Sequence, residues 1–70
     1  MEKGNIIKFK GATDGQVEYG GGDDPRGCLE VGREYEIIKT YNYDWYTLIT
    51  IKGFPDFKFN SVCFTSVRKA

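Results

Sequence analysis

Two stretches, Cys28-Leu29-Glu30-Val31-Gly32-Arg33-Glu34-Tyr35-Glu36-Ile37-Ile38 and the run from Trp45 to Phe64, decide the fold class. In the first, apolar side chains at 29, 31 and 35 stand around Gly32, a pattern that suits a tight turn feeding a strand. Glycine there supplies a backbone angle that other residues avoid. Tyr35 and Ile37 then fall on one face and Glu34, Glu36 and Thr40 on the other, as the two-residue period of a strand requires. The face carrying Tyr35 and Ile37 is the core side.

In the second stretch, Asn42-Tyr43-Asp44 has the residues of a hairpin connection, and residues 45–51 are dense in the aromatic and β-branched types that favour strands. Trp45, Thr47, Ile49 and Ile51 share one face and Tyr46, Leu48 and Thr50 the other, so both faces are partly apolar. A bent barrel strand buries different faces along its length, which accommodates this pattern. Trp45 is expected to complete the core. Lys52-Gly53-Phe54-Pro55-Asp56 reads as a turn, Phe57-Lys58-Phe59 as a short strand, Asn60-Ser61-Val62-Cys63-Phe64 as a single helical turn and Thr65-Ser66-Val67-Arg68 as a last strand.

Toward the N-terminus, Asn5-Ile6-Ile7-Lys8-Phe9-Lys10 reads as a first strand. Residues 11–27 then hold six of the nine glycines, Pro25 and four acids, with only Val17 and Tyr19 standing out as large apolar side chains. They read as a long acidic, glycine-rich loop, and loops of that length in a compact domain are commonly functional or disordered. The expected architecture is one all-β domain over residues 1–70, a five-stranded antiparallel barrel. Its expected core is Ile7, Leu29, Val31, Tyr35, Ile37, Leu48, Ile49, Phe59, Val62 and Phe64.

The pattern Leu29-x-Val31-Gly32-x-x-Tyr35-x-Ile37, followed by a hairpin, a turn containing Gly53, an aromatic strand and Ser61-Val62-Cys63-Phe64, resembles the very small SH3-like barrel proteins of bacteriophages and prophages, mostly uncharacterised. The resemblance spans residues 28–68. It implies the barrel fold, places residues 11–27 as the long loop after the first strand, and implies a viral origin. The chain departs from polyproline-binding SH3 domains, having no Ala-Leu-Tyr-Asp-Tyr-type segment, no adjacent tryptophan pair and no Pro-and-Tyr pair near the end. Polyproline recognition is not expected.

Ten basic and ten acidic side chains give zero formal charge, so no global field draws the chain to nucleic acid or to anionic membrane. Residues 11–36 nonetheless carry seven acids against Arg26 and Arg33, with the compensating lysines toward the two ends. Residues 1–5 are polar, without the apolar region of a secretory leader, and no apolar run has the length of a membrane helix. A cytoplasmic location is expected, where Cys28 and Cys63 remain thiols.

Histidine is absent, and no Ser or Cys sits in a recognisable activating motif, so neither catalysis nor a cofactor is expected. Gly20-Gly21-Gly22-Asp23-Asp24 lacks the Lys-Ser/Thr of a phosphate loop, its two aspartates repel phosphate, and Asp14, Asp23 and Asp24 lack the spacing of a known calcium loop. Two binding readings remain. The first is a non-catalytic protein-binding module, a phage-encoded factor engaging a host or phage protein through Tyr19, Asp23, Asp24, Tyr43 and Phe54. Tyr43 stands at the expected hairpin tip, and Phe54 is an expected exposed ring. The second is a nucleic-acid module using Lys52, Lys58, Arg68 and Lys69 beside Phe54 or Phe57. A small assembly component joined through an edge strand is a third possibility.

Overall fold

The computed structural model describes the backbone of residues 1–19 and 22–69, with the side chains of all these but Glu18 and Tyr19. Five strands, β1 (Asn5–Phe9), β2 (Glu34–Asn42), β3 (Thr47–Ile51), β4 (Phe59–Asn60) and β5 (Phe64–Lys69), form one antiparallel sheet in the order β4-β3-β2-β1-β5. The nine-residue β2 is its hinge. The start of β2 pairs with β1 through Ile6 to Glu36, Ile7 to Tyr35 and Lys8 to Glu34, while Ile37 to Asn42 pair with β3. Register shifts between Ile37 and Lys39, and between Ile6 and Ile7 against β5, mark bulges that bend the strands. Among the described residues no ladder joins β4 to β5, so the sheet is not closed.

Inside the bend lie Ile7, Phe9, Leu29, Ile37, Ile49, Ile51, Phe59, Cys63 and Phe64, all buried. Tyr35 and Phe54 pack against them half-buried, and the Tyr35 hydroxyl accepts the Glu30 amide at 3.1 Å, fixing the turn before β2. That turn explains one correction. The Arg33 amide reaches the Glu30 carbonyl at 3.2 Å and Gly32 adopts φ 88°, so Val31 stands at the turn's outer corner, 71% exposed instead of in the core. Val62, also expected inside, sits in the 3₁₀ turn Ser61–Cys63 with its side chain outward, and Cys63 fills the interior position. Phe9 and Ile51 complete the core beyond the expected set. Leu48, Ile49, Thr50 and Ile51 are all buried, as the two-sided pattern of β3 implied.

Residues 11–27 are not one open loop. Thr13 and Gln16 form a reciprocal capping box: the Gln16 amide donates to Thr13 Oγ1 at 3.1 Å and the Thr13 amide to Gln16 Oε1 at 2.9 Å. It opens a short helix, α1 (Asp14–Tyr19). Further on, Asp24 caps a 3₁₀ turn over Pro25–Gly27 by accepting the Arg26 amide, and Pro25 is buried. The glycine run begins to earn its composition at Gly22, where an added Cβ would lie 2.6 Å from the Lys58 carbonyl oxygen and 3.0 Å from Leu48 Cδ2. Only a residue without a side chain lets the segment settle this closely on β4.

Candidate functional site

The hairpin between β2 and β3 closes with the Tyr43 amide on the Tyr46 carbonyl at 2.9 Å, and Thr47 Oγ1 donates to Asn42 Oδ1 at 3.1 Å below it. This closure leaves Asp44 and Trp45 at the tip. Trp45 is therefore 93% exposed, a correction to its expected place in the core, because β3 begins at Thr47 and not at the indole. Tyr43 and Tyr46 flank it with their rings stacked 4.9 Å apart, and they remain 49% and 38% exposed. Stacking the two rings across the turn stiffens the base from which Trp45 projects.

Beside this tip runs an open groove of about 750 Å³. It is lined by the apolar side chains of Trp45, Tyr46 and Val62, by Thr13 and Gln16 at the start of α1, and by Asn60 and Ser61. The groove is built by caps at both ends. The Thr13–Gln16 box sets the helix start, and Asn60 accepts the Val62 amide at 3.0 Å, holding the 3₁₀ turn so that Val62 faces outward. Among the described residues no Asp, Glu, Lys or Arg lines it. The lining combines a large flat ring and a branched aliphatic with amide and hydroxyl groups, which suits an apolar side chain flanked by main-chain polar groups.

The protein-binding residues read from sequence are dispersed. Tyr43 stands on the groove's aromatic tip, whereas the Tyr19 side chain lies outside the described residues. Asp23 and Asp24 are engaged within the chain. The Asp23 amide donates to the Lys58 carbonyl at 2.7 Å and its Oδ2 accepts the Lys58 amide at 2.8 Å, pinning the segment to the edge of β4. Asp24 accepts from Arg26 Nε and Nη2, and the same guanidinium reaches Asp14 on α1. The Arg26 side-chain and main-chain hydrogen bonds hold the Asp24 carboxyl below its ordinary value, and those two aspartates raise Arg26.

Phe54, expected as an exposed ring, is half-buried, in edge contact with Tyr35, Phe57 and Phe59; Phe57 is the more exposed ring of this group. Phe54 lines a second, smaller cleft of about 340 Å³ together with Tyr35, Cys28 and Lys52. Two of its acids are paired, Glu30 with Arg33 at 3.9 Å and Glu34 with Arg68 at 3.0 Å, and Glu36 and Lys52 also line it.

The expected basic surface does not assemble either. Lys58 precedes β4 on one edge of the sheet, Arg68 and Lys69 lie on β5 at the opposite edge, and Arg68 is spent on Glu34. Lys52 follows β3, its amide on the Glu36 carbonyl. The Lys58 ammonium instead stands 4.4 Å from the centroid of the Tyr41 ring, which the Lys39 ammonium approaches to 5.0 Å.

Cys63 is buried and its burial pushes the thiol up, away from nucleophilic range, while Cys28 is an exposed free thiol. Among the described residues no three His, Cys, Asp or Glu side chains converge as metal ligands, and no helix is long and apolar enough to cross a membrane. Compared with protein-family models, with curated proteins and with solved structures, the chain matches none of them.

Proposed function

We propose that this chain is a non-catalytic protein-binding module on a small SH3-like barrel, and that its contact surface is the groove between the Trp45 tip, α1 and the 3₁₀ turn Ser61–Cys63. The observation that carries the reading is the 93% exposure of Trp45 beside a groove that no charged side chain among the described residues lines. An indole left in water forgoes roughly 150–250 Å² of burial, and Trp is among the residues most enriched where binding energy concentrates. The SH3-like part is supported by the strand order β4-β3-β2-β1-β5, by the bent β2 shared between both halves, and by a 3₁₀ turn immediately before β5. The partner in this reading is a host or phage protein presenting an apolar side chain on an extended segment.

The test is a nuclease-treated affinity capture from bacterial lysate with the parent chain, Trp45→Ala and Lys52→Gln, read by mass spectrometry. The reading requires a protein retained by the parent and by Lys52→Gln and lost with Trp45→Ala. Capture that depends on nucleic acid, or that Trp45→Ala leaves intact, removes it.

A further inference from the structure

Of the residues lining the Trp45 groove, Thr13, Gly15 and Gln16 belong to the start of α1, and the others to the hairpin and to residues 60–62. Those others are carried by the sheet: Thr47 opens β3, Asn60 ends β4, and the turn Ser61–Cys63 runs straight into β5. α1 is held differently. It is six residues long with Gly15 at its second position, too short and too weak a helix to keep its place by propensity. Its capping box and the bond from the Val17 amide to the Thr13 carbonyl are internal and orient it against nothing. Val17, though half-buried, is not among the residues packed on the core.

Two anchors join this helix to the body among the described residues. Ala12, just before it, packs on the core. The other is Arg26, whose Nε and Nη2 donate to the Asp24 carboxylate at 3.1 and 3.0 Å and whose Nη1 donates to Asp14, the first residue of α1. The turn carrying Arg26 is itself fixed. Pro25 is buried, and its carbonyl accepts the Cys28 and Leu29 amides at 3.1 and 2.9 Å, ahead of the core residue Leu29. A guanidinium forked onto one carboxylate presents its remaining donor in one direction, so Asp14 meets an oriented partner. A helix held at Ala12 alone can turn about that point, and the second hold at Asp14 removes this freedom.

We infer that Arg26 is a positioning residue for the groove: by tying Asp14 to the anchored turn Pro25–Gly27, it keeps the start of α1 in place against the sheet-borne part of the lining. The inference rests on the groove being the contact surface. A partner segment then meets a lining already assembled and spends no binding energy on ordering α1. Without the tie, α1 samples orientations in which Thr13 and Gln16 no longer line the same groove as Trp45, and affinity falls with the fraction that remains competent. Arg26 and Asp14 touch no partner in this account; they act through Thr13 and Gln16.

The test is made on the free chain, without a partner. Residual dipolar couplings of the α1 amides, measured by NMR in a weakly aligning medium, report whether α1 keeps a fixed orientation to the sheet. In the parent, the Gln16 and Val17 couplings should fit the alignment given by the strands. An exposed ion pair shifts an orientational equilibrium by about fivefold at most, so in Arg26→Gln and in Asp14→Asn these couplings should fall by about a third. Those of β1, β2 and β3 should stay as they were, which verifies the fold. The double variant should fall no further than either single one, because one tie is being removed. This cycle separates the tie from the effect of the Asp14 charge on its own helix end, which Arg26→Gln leaves in place. Arg68→Gln, which breaks the ion pair to Glu34, should leave the α1 couplings unchanged. Couplings that hold in Arg26→Gln, or that fall additively in the double variant, overturn the inference. Its failure is distinct from failure of the groove reading, because the order of α1 is measured without capture and the Trp45→Ala capture is measured with Arg26 intact.

Discussion

One rule, that a large ring beside a strand pattern belongs inside, applies to both Tyr35 and Trp45, and the two stand in opposite environments. Tyr35 was legible because it alternates with Ile37 inside a continuous strand. Trp45 was not, because its placement depends on where the hairpin closes, and the Tyr43 to Tyr46 hydrogen bond puts the closure around the indole. Each ring carries its own expected outcome. Tyr35→Ala should cost about 3–5 kcal/mol, since it removes a ring packed on the core and the acceptor of the Glu30 amide. Tyr35→Phe keeps the ring and should cost only about 0.5–1.5 kcal/mol, the net worth of one hydrogen bond. Denaturant melts of the two variants separate packing from turn anchoring. Trp45→Ala, by contrast, should move the unfolding free energy by less than about 0.5 kcal/mol, as exposed substitutions away from caps and cores do. A larger loss in the same melts would mean that the indole packs on the fold.

At the scale of elements, the segment 11–27 shows what composition conceals. Glycines and acids predict a loop, yet Thr13-Asp14-Gly15-Gln16 carries the Thr-x-x-Gln spacing of a capping box, a signal that the loop composition of 11–27 masks. The acids, taken as a contact surface, are partly internal ties. Arg26 joins Asp24 to Asp14 and so links the 3₁₀ turn to α1. Because the folded Asp24 carboxyl lies below its ordinary value of 3.8, this tie is at full strength above that pH. It weakens as pH falls through the lower folded value. An NMR titration of Asp24 should therefore show a midpoint below 3.8 in the parent and one returned toward 3.8 in Arg26→Gln. An unchanged midpoint would show that Arg26 is not the cause. Gly22→Ala tests the other tie. Its φ of 83° and the 2.6 Å approach to the Lys58 carbonyl leave no room for a methyl, so the Asp23 and Lys58 amides should lose hydrogen-exchange protection while β1 and β2 keep theirs.

Over the whole molecule, the strands and their approximate limits were legible because each alternates apolar and polar residues or is bounded by turn chemistry. The pairing of β1 with β5 was not, since it joins the two ends of the chain and no local signal encodes it. The segment between the edge strands β4 and β5 offers a probe of how far this sheet acts as one body. Cys63 sits there, 2% exposed, and its carbonyl accepts the Lys10 amide at 2.9 Å just past the end of β1. Uncovering its thiol therefore requires parting β1 from the turn and opening the Phe9, Phe59 and Phe64 cluster. Cys28 lies on the surface and reports only local access. With a thiol reagent in excess at pH 8, one thiol should react at once and the second slowly, at a rate that falls with the global unfolding free energy. Adding urea should accelerate only the slow phase, in step with loss of the sheet, and Ile49→Ala, which cuts into the same core, should accelerate it without denaturant. A second thiol that reacts as fast as the first, or at a rate indifferent to Ile49→Ala, would mean that the two edges of the sheet open independently of its centre.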